Sequence, residues 1–513
     1  MALTVLPSVV WFKRDLRLHD HAPLLEAVAR GPVLCLQVTE PGLWAQPDAA
    51  TQHFGFVQES LRDLEQALQE RGVQLLRMTG ELPEALQQLW SATRFERLYS
   101  HEETGNAFTY RRDQAVARWC RERNVVWRES PQFGVVRNLA SRNGWHRRWT
   151  AHVDASQVTC PQRWTSPALS RTDTSATSAI SLGLLDADVA QRQRGGRAAG
   201  LAVLHDFLNE RSASYRGGIS SPLSAPSACS RLSPYLAHGC LSLREVVQAT
   251  RKRIAGLAPE ARHHRMGLEA FLSRLAWHCH FIQKLESEPE LEWRNLHRGY
   301  DGLREDSFDS AHFDALTQGR TGWPLVDACV AMLRETGWIN FRMRAMLVSV
   351  AAYPLWLHWR SVGEWLARQF LDYEPGIHWS QLQMQSGTTG INTTRVYNPI
   401  KQARDHDPQG HFVRRWLPVL KRVPDAWLFE PWHMPETVQA RCGVRVGVDW
   451  PMPVVDLERA TREAKARFHQ RRALPEVKAG EADIVRRHGS RKRATEQTGR
   501  TRSAVEAAQQ SLF

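Results

Sequence analysis

The stretch VVWFKRDLRLHDHAPLLEA, residues 9–27, determines the fold of the first part of the chain. It opens on four consecutive apolar residues, continues through a polar loop and ends in the helical pattern LLEAVAR at 24–30. A short apolar run followed by a loop and a helix is typical of a buried parallel strand and its crossover connection. We therefore expect an α/β unit to begin here.

The same alternation continues along the chain. The apolar spacing of residues 54–70 predicts a helix. Further strand-like runs occur at 32–38, 73–78, 97–100 and 125–128. Strands that alternate with helices predict a parallel sheet with helices on its faces. The predicted fold class for residues 1–135 is therefore an α/β domain with a parallel, Rossmann-like sheet.

The character of the chain changes after residue 135. Residues 136–198 include a Ser-, Thr- and Pro-rich stretch and the basic, glycine-rich QRQRGGRAAG, and they are assigned to an interdomain linker. From 199 to 460 apolar residues recur three and four positions apart, as in GLEAFLSRLAWHCHFIQKL, and predict an all-α domain. Residues 461–513 are rich in Lys and Arg and are predicted to form a basic, largely disordered tail.

Composition narrows the class of protein. The chain has 513 residues with 67 Lys and Arg against 54 acidic residues, and a net charge of +13 favours a polyanionic partner such as nucleic acid. No apolar run approaches the ~20 residues of a membrane span, and the opening does not resemble a signal peptide. Eight cysteines without CxxC pairs or metal-ligand spacing predict reduced thiols, no metal site and a cytoplasmic location. We expect a monomer without a membrane partner.

Four stretches taken together resemble the photolyase/cryptochrome flavoprotein family, in its bacterial form and divergent from the common dimer-repair branch. They follow in the family's order and spacing: 9–27, CSRLSPYLAHGCLSLREV at 229–246, the run from 319–349 through 397–420, and DWPMPVVD at 449–456. The resemblance implies an N-terminal α/β domain, a long linker and an all-α C-terminal domain that binds FAD.

The resemblance assigns FAD to two groups of residues. Backbone N–H groups and hydroxyls hold a flavin pyrophosphate, and the loop at 230–233 supplies them, although Cys229 stands where the family usually has Thr. Arg344 and Asp372 match the family's pair against the isoalloxazine ring, with a structural salt bridge as the alternative interpretation. The implied cofactor-binding residues are Tyr215, Ser230, Arg231, Leu232, Ser233, His278, Asn340, Arg344, Asp372 and Glu374.

The electron supply departs from the family pattern. The family usually carries three Trp residues that lead from flavin to surface, and Trp359 matches the middle one. Leu316 and Leu382 occupy the other two positions. The chain has 20 Trp in all, and Trp can donate an electron. Other residues nearby in sequence could form a different route, with core packing as the competing interpretation for each: Trp338, Trp356, Trp365 and Trp379.

The lesion pocket departs furthest. Trp277 resembles the family's lesion-stacking Trp, but Arg274 stands where repair enzymes have a Glu that contacts the damaged pyrimidines. Three histidines are candidate proton donors for a 6-4-type repair, or else structural residues: His278, His280 and His378. The residue that faces flavin N5 stays open among Gly376, Ile377 and His378.

These residues predict an FAD-dependent, blue-light-driven DNA photolyase that repairs pyrimidine dimers flipped out of damaged DNA, which could be single-stranded. The alternative is a cryptochrome-like blue-light photoreceptor with flavin photoreduction and no repair, and a third class is a flavoprotein that no longer uses light. The family also allows an antenna chromophore of the folate or deazaflavin type, with 101–103 as the candidate contact segment. Its sequence gives no specific signal for either type.

The last five residues carry a separate signal. Gln509, Leu512 and Phe513 resemble the short peptide with which bacterial replication and repair proteins dock on the sliding clamp. Leu512 and Phe513 could fill an apolar pocket while Gln509 forms a hydrogen bond at its rim. The alternative is that the Leu-Phe pair folds back on the helical domain or frays.

Overall fold

The computed structural model describes residues 6–167, 177–391 and 396–489. The α/β domain runs β1 (Ser8–Phe12), α1 (Ala22–Val28), β2 (Val33–Thr39), α2 (Pro41–Trp44), α3 (Thr51–Gln69), β3 (Leu75–Thr79), α4 (Leu82–Thr93), β4 (Arg97–His101), α5 (Ala107–Glu122) and β5 (Val126–Ser130). All strand pairings are parallel, in the order β3-β2-β1-β4-β5. The predicted parallel α/β fold is confirmed.

The two faces of β1 serve different neighbours. Val9 and Trp11 pack with the apolar sides of α4 and α5. Val10 and Phe12 point to the other face and share one continuous core with residues beyond 200. Because the side chains of a strand alternate, this four-residue run explains why the sheet is covered on both sides.

The described part of the segment predicted as a linker contains the helix α6 (Trp145–Asp154) and a 3₁₀ turn, Ile180–Leu182, before α7 begins at Arg197. Trp145, Trp149 and Val153 are buried on it, spaced four residues apart, and they join the core that includes Val10. The part of the linker around α6 is therefore fixed against both domains.

The rest of the described chain is helical, as predicted. Its helices are α7 (Arg197–Asp206), α8 (Ser212–Gly218), α9 (Ala225–Ala228), α10 (Ser233–Ala237), α11 (Leu243–Ala255), α12 (Arg262–Ser287), α13 (Ser310–Gln318), α14 (Pro324–Thr336), α15 (Phe341–Ala352), α16 (Trp359–Gln369), α17 (Pro375–Ser386), α18 (Pro399–His406), α19 (His411–Trp416), α20 (Glu436–Cys442), α21 (Leu457–Ala473) and α22 (Pro475–His488). A π-helical turn, Phe207–Arg211, joins α7 to α8, and short 3₁₀ turns connect other elements.

The structure differs from the prediction of a largely disordered tail that starts at 461. Up to His488 this segment forms the end of α21 and all of α22. Phe468, Val477 and Ile484 are buried, and Phe468 stacks on Tyr300 with ring centroids 5.2 Å apart. These few apolar residues, widely spaced among charged ones, hold both helices on the domain. Residues 490–513, with the clamp-like Gln509, Leu512 and Phe513, lie outside the described residues.

The two domains meet at the loop that follows β1. Arg14 donates hydrogen bonds to the carbonyl of Ala237 (2.8 Å) and to the Glu374 carboxylate (2.9 Å). Gly239 has φ +65°, and a Cβ there would come within 2.1 Å of the Arg14 carbonyl oxygen, so only glycine allows this approach. The domains are therefore in backbone contact where the candidate site begins.

Two further expectations can be compared with the structure. Within the described ranges, none of the helices has both the length and the apolar character needed to cross a membrane. All eight cysteines fall in these ranges, and each is a free thiol.

Candidate functional site

Arg344 and Asp372 form an ion pair in the helical domain. Arg344 lies on α15 and Asp372 just after α16, and the two Nη–Oδ distances are 2.9 and 3.0 Å. The Arg344 Nε donates to the Ile339 carbonyl at 2.8 Å, and the guanidinium lies over the Phe370 ring at 4.1 Å. Each of these contacts restricts the plane of the guanidinium, so its charge has a fixed position.

The carboxylate of this pair is ionised. Burial by itself would raise the pKa of Asp372, but the Arg344 guanidinium and the Ser233 hydroxyl hold that pKa below its usual value. Ser233 is the first residue of α10, so this contact brings the predicted phosphate-binding loop against the predicted ring-binding pair. The structure thus joins the two groups of residues that the sequence separates.

The loop before Ser233 is held by side chains that sequence reasoning missed. Arg231 has φ +60°, a strained conformation for a residue with a Cβ, and its Nε donates to Gln193 Oε1 at 3.1 Å. Gln193 Nε2 donates back to the Arg231 carbonyl at 2.9 Å. The Arg211 side chain donates to the carbonyls of Cys229 and Ser230. Gln193 belongs to the basic, glycine-rich stretch assigned to the linker, and its role could not be read from that composition.

The Arg231 side chain adds a second cation near the Arg344–Asp372 pair. Burial lowers the pKa of Arg231 to about 10, with the Asp372 carboxylate opposing that shift. Its guanidinium lies 3.9 Å above the Trp338 ring. Trp338 therefore supports the loop rather than joining the other tryptophans, and Leu232 fills the core beneath it at 1% exposure.

Asn340 provides a test of whether a flavin fits here. Its Nδ2 donates to the carbonyls of Ile219 and Ser220, both at 3.0 Å, whereas its buried Oδ1 has no hydrogen-bond partner among the described residues. Leaving a buried acceptor unsatisfied costs about 1–3 kcal/mol. A flavin nucleotide carries N–H and hydroxyl donors that could satisfy Asn340, and its anionic groups suit Arg231 and Arg344. The residues present therefore fit FAD.

Three other predicted cofactor residues make their contacts elsewhere. Tyr215, on α8, packs edge-on against Phe207 and Phe271, and burial raises the pKa of its hydroxyl. Glu374 pairs with Arg14 of the α/β domain, and burial raises the Glu374 pKa to about 7. His278 lies edge-on to the Phe133 ring with centroids 5.0 Å apart, and burial lowers its pKa to about 4.

Trp359 and Trp379 are direct neighbours. Their ring centroids are 5.9 Å apart, and both side chains are buried. Trp359 Nε1 donates to Asn295 Oδ1 at 2.8 Å, and Trp379 Nε1 donates to the Tyr373 hydroxyl at 3.1 Å. The structure brings these two tryptophans together although the family's other two positions hold buried leucines, Leu316 and Leu382.

Two of the predicted histidine proton donors, His378 and His280, have neutral imidazole rings at neutral pH. Burial lowers the pKa of His378 to about 3, and its Nε2–H donates to the Gly363 carbonyl at 2.9 Å, beside Trp379. Burial also lowers the pKa of His280, whose Nδ1 lies 2.6 Å from an Arg142 Nη2 donor. Neither imidazole is a ready acid in this arrangement.

Trp277, the predicted lesion-stacking residue, is partly exposed on α12 and stacks on Phe281 at 5.6 Å. Beneath it lies a buried basic cluster that sequence reasoning missed, made of Arg142, His280 and Lys284. Burial lowers the pKa of Lys284 to about 7 and that of Arg142 to about 10. The signal for this cluster would have been Lys284 on the apolar face of the α12 pattern.

The candidate antenna segment at the end of β4 is largely engaged inside its own domain. His101 Nδ1 donates to Asp15 Oδ2 at 2.7 Å, and Glu103 accepts from Arg112 at 2.6 Å. His21 Nε2 also donates to Asp15, at 3.0 Å, while its Nδ1 accepts from the Leu24 N–H. Each side chain of this Asp–His–His group thus has a partner within the α/β domain.

Comparison with known proteins gives matches to both domains. Residues 8–137 match the model described as DNA photolyase, and residues 271–470 match the FAD binding domain of DNA photolyase. The chain is 32% identical over 492 residues to a deoxyribodipyrimidine photo-lyase of Streptomyces griseus, covering 91% of this chain and 99% of the relative. It is 28% identical over 480 residues to a cryptochrome DASH of Gloeobacter violaceus, covering 88% and 93%. It also resembles the crystal structure of a class III photolyase from Agrobacterium tumefaciens, with TM-score 0.81, 25% identity, and 92% and 99% of the two chains covered.

A parallel α/β domain joined to a helical FAD-binding domain defines a class of two-domain flavoproteins. The chain belongs to the photolyase/cryptochrome family, as its motifs predicted. Its relatives bear both names, photolyase and cryptochrome, so membership leaves repair and photoreception as the two functions to weigh.

Proposed function

We propose that the protein is an FAD-dependent, blue-light-driven DNA photolyase that repairs pyrimidine dimers by electron transfer. The observation that carries the proposal is the Arg344–Asp372 ion pair, with Nη–Oδ distances of 2.9 and 3.0 Å, beside Ser233 of the phosphate loop. When bound in its reduced state, FAD supplies an electron to the lesion after it absorbs light. Side chains of the protein bind the cofactor, fix the charge beside it and contact the DNA.

The binding tasks divide between two sides of the site. The Ser230 and Ser233 hydroxyls and the Arg231 guanidinium would hold the phosphates, in a loop fixed by Gln193. Arg344 would place its charge against the ring, held in plane by Asp372, and Asn340 Oδ1 would accept a ligand hydrogen bond. A cation fixed in advance stabilises negative charge without reorganisation at the moment of transfer.

The DNA side of the proposal rests on charge and on one exposed aromatic surface. The net charge of +13 favours a polyanion. Trp277 offers a partly exposed indole, stacked on Phe281, to a pyrimidine dimer that has flipped out of the duplex. The buried Arg142 guanidinium below Trp277 adds positive potential on this side, and Lys284 adds to it below a pH of about 7, where its amine is protonated. Lesion type and strandedness are part of what the assay below determines.

A photoreceptor of the cryptochrome kind is the second candidate, favoured by one specific observation. Arg274 occupies the position where repair enzymes carry the Glu that contacts the lesion, and it lies beside the Tyr215 hydroxyl. The close Trp359–Trp379 pair would serve flavin photoreduction equally well in a receptor. The Arg274 substitution in the lesion pocket thus favours photoreception over repair, and it leaves the assignment of the flavin site unchanged.

A repair assay on purified, flavin-loaded protein separates these candidates. Dimers in single- and double-stranded DNA are counted after blue light and in the dark, and the visible spectrum is recorded in parallel. We expect light-dependent loss of dimers, strongly reduced in Trp277→Ala but not in Trp90→Ala, which removes a partly exposed Trp of the α/β domain. Photoreduction without repair supports the receptor, and a flavin that does not respond to light supports neither candidate.

We also propose an antenna chromophore of the folate or deazaflavin type in the α/β domain. His101 and Glu103 are engaged with Asp15 and Arg112, whereas Glu102 has a partly exposed side chain and a longer, 4.0 Å contact with Arg137, so Glu102 is the member of that segment proposed to contact the chromophore. Chromatography of pigments released from the purified protein tests this. FAD as the sole pigment, together with no gain in repair after incubation with either pigment, contradicts the proposal.

A further inference from the structure

Tyr373 connects Trp379 to a carboxylate of the other domain. Its hydroxyl accepts the Trp379 indole N–H at 3.1 Å and donates to Asp48 Oδ2 at 2.7 Å. Tyr373 directly follows Asp372, and Asp48 lies in the loop between α2 and α3. One phenol group thus lies between an electron-rich indole and a base.

Neighbouring side chains fix the position of the Asp48 carboxylate next to the Tyr373 hydroxyl. Asp48 is 5% exposed, and Asn106 Nδ2 donates to both of its oxygens at 3.0 and 3.2 Å. Glu292 lies close enough that burial and the Asp48 charge together raise its pKa to about 7. Burial and the same charge raise the pKa of the Tyr373 phenol, which is therefore a neutral donor in the resting protein. Once oxidised, a phenol becomes a strong acid and requires an acceptor at hydrogen-bond distance.

Trp359, the other neighbour of Trp379, differs in this respect. Its indole N–H donates to the amide oxygen of Asn295, which is not a base at neutral pH. An electron hole that moves from Trp379 to Trp359 therefore keeps its positive charge, whereas a hole that moves to Tyr373 can lose a proton. The two neighbours of Trp379 are chemically different branches.

We propose that Tyr373 and Asp48 form a proton-coupled electron donor for oxidised Trp379. One electron passes from Tyr373 to the Trp379 radical cation, and the phenolic proton passes to Asp48 Oδ2. The products are neutral Trp379, a neutral tyrosyl radical and a protonated Asp48 carboxyl, so charge and atoms balance. The inference rests on the proposed function in one respect, since light-excited oxidised flavin is the oxidant that produces the Trp379 radical cation.

This branch makes charge separation last longer. Return of the electron from the flavin to the tyrosyl radical requires the proton to come back from Asp48 in the same event. Two residues from different domains are needed, so the donor exists only in the assembled two-domain protein.

The test is flash photolysis with electron paramagnetic resonance on the flavin-loaded full chain. In the wild type we expect a tyrosyl radical to replace the Trp radical, more slowly in D₂O than in H₂O. Tyr373→Phe should abolish the tyrosyl signal. Asp48→Asn should lower its yield at least fivefold and prolong the Trp radical. Tyr110→Phe, at a tyrosine 55% exposed on α5, should change nothing. An undiminished tyrosyl yield in Asp48→Asn or in Tyr373→Phe overturns the proposal.

A second measurement does not need flavin. Azide radicals generated by pulse radiolysis oxidise Trp selectively, and transfer of the hole to Tyr is then followed by absorbance in the wild type, Tyr373→Phe and Asp48→Asn. Loss of the fast Trp-to-Tyr step in both variants supports the proposed donor, whatever the flash experiment shows. If the flash experiment produces no Trp radical, that result counts against the proposed function and not against the donor. Equal transfer in all three proteins overturns the inference.

Discussion

The indole rings of Trp359 and Trp379 lie 5.9 Å apart, centroid to centroid, and meet edge to face at 71°. Both are buried in the helical domain, and Leu382 lies one turn after Trp379 on α17. A pair of tryptophans thus stands where the family usually has three in a line.

Photoreduction of bound flavin should depend on this pair. The Trp359→Phe/Trp379→Phe double variant removes both indoles but keeps the ring volume, so we expect photoreduction under blue light to slow at least tenfold with unchanged flavin content. The rate is measured by absorbance in the presence of an external thiol. Trp90→Phe is the control, because Trp90 lies on α4 of the α/β domain, outside the helical domain that holds the pair. Equal rates in the double variant and the wild type would exclude the pair as the route.

Asp372→Ala should lose both flavin and stability. It leaves the Arg344 guanidinium without its carboxylate, and breaking a buried pair costs about 3–5 kcal/mol. We expect less flavin per protein after purification and a lower midpoint of denaturant unfolding. Asp425→Ala is the control, since Asp425 is 83% exposed in its pair with Arg414 and should change stability by less than about 1 kcal/mol. Full flavin content and unchanged stability in Asp372→Ala would refute the assignment of the pair.

Lys284→Met should stabilise the protein, and more so at lower pH. A lysine in the unfolded chain holds its proton up to a pH of about 10.4, whereas burial lowers the folded pKa of Lys284 to about 7. Between these values the unfolded chain binds more protons, so this residue's penalty is complete below pH 7 and fades as the pH rises to 10.

The stabilisation at pH 6 to 7 should be on the order of 4–5 kcal/mol, from the energy that corresponds to a pKa shift of this size. Denaturant unfolding at several pH values measures it for Lys284→Met and for Lys252→Met, which changes an exposed residue of α11. A gain that does not vary with pH would mean that Lys284 is not a buried charge.

DNA binding should weaken steeply with salt. If six or more phosphates are contacted, affinity should fall by about 10³ or more between 50 and 200 mM salt. Residues 490–513 contain five Lys and Arg against two Glu, so a chain that ends at Gly489 should bind DNA more weakly with unchanged flavin. The cut belongs there and not near 470, because Val477 and Ile484 of α22 are buried. A salt-independent affinity would point away from nucleic acid.

The C-terminal peptide should bind a bacterial sliding clamp. A labelled peptide of residues 500–513 is titrated with clamp beside a Leu512→Ala/Phe513→Ala version, with fluorescence anisotropy as the readout. We expect binding at about tens of micromolar for the first and none for the second, because the two apolar side chains would fill the pocket. Equal binding of both peptides, or of neither, removes the clamp from the partners that the sequence predicts.

The sequence predicted those features whose cause is local. The apolar run at 9–12 is β1, and the periodic segment at 54–70 is α3 within a few residues. The sequence did not predict that the start of the tail is helical, because α22 has few apolar residues and many charged ones. Composition does not show that Val477 and Ile484 are buried in apolar clusters with residues from elsewhere in the domain.

The candidate site divides in the same way. Arg344 and Asp372 could be identified from motifs, and the structure places them in contact. The hydrogen bond between Tyr373 and Asp48 joins residues 325 positions apart in the chain, and neither the periodicity nor any motif of the two segments predicts it. Partners of this kind are set by how the two domains pack, which a single sequence does not reveal.

The contact of Arg14 with Glu374 has a consequence for chimeric proteins. Glu374 and Tyr373 sit on the helical domain, but their partners, Arg14 and Asp48, belong to the α/β domain. A chimera that takes its α/β domain from a relative must therefore bring an arginine and a carboxylate to these places, or leave a carboxylate and a phenol unmatched at the seam. The two halves of this chain are therefore a matched set, because each supplies the partners that the other needs.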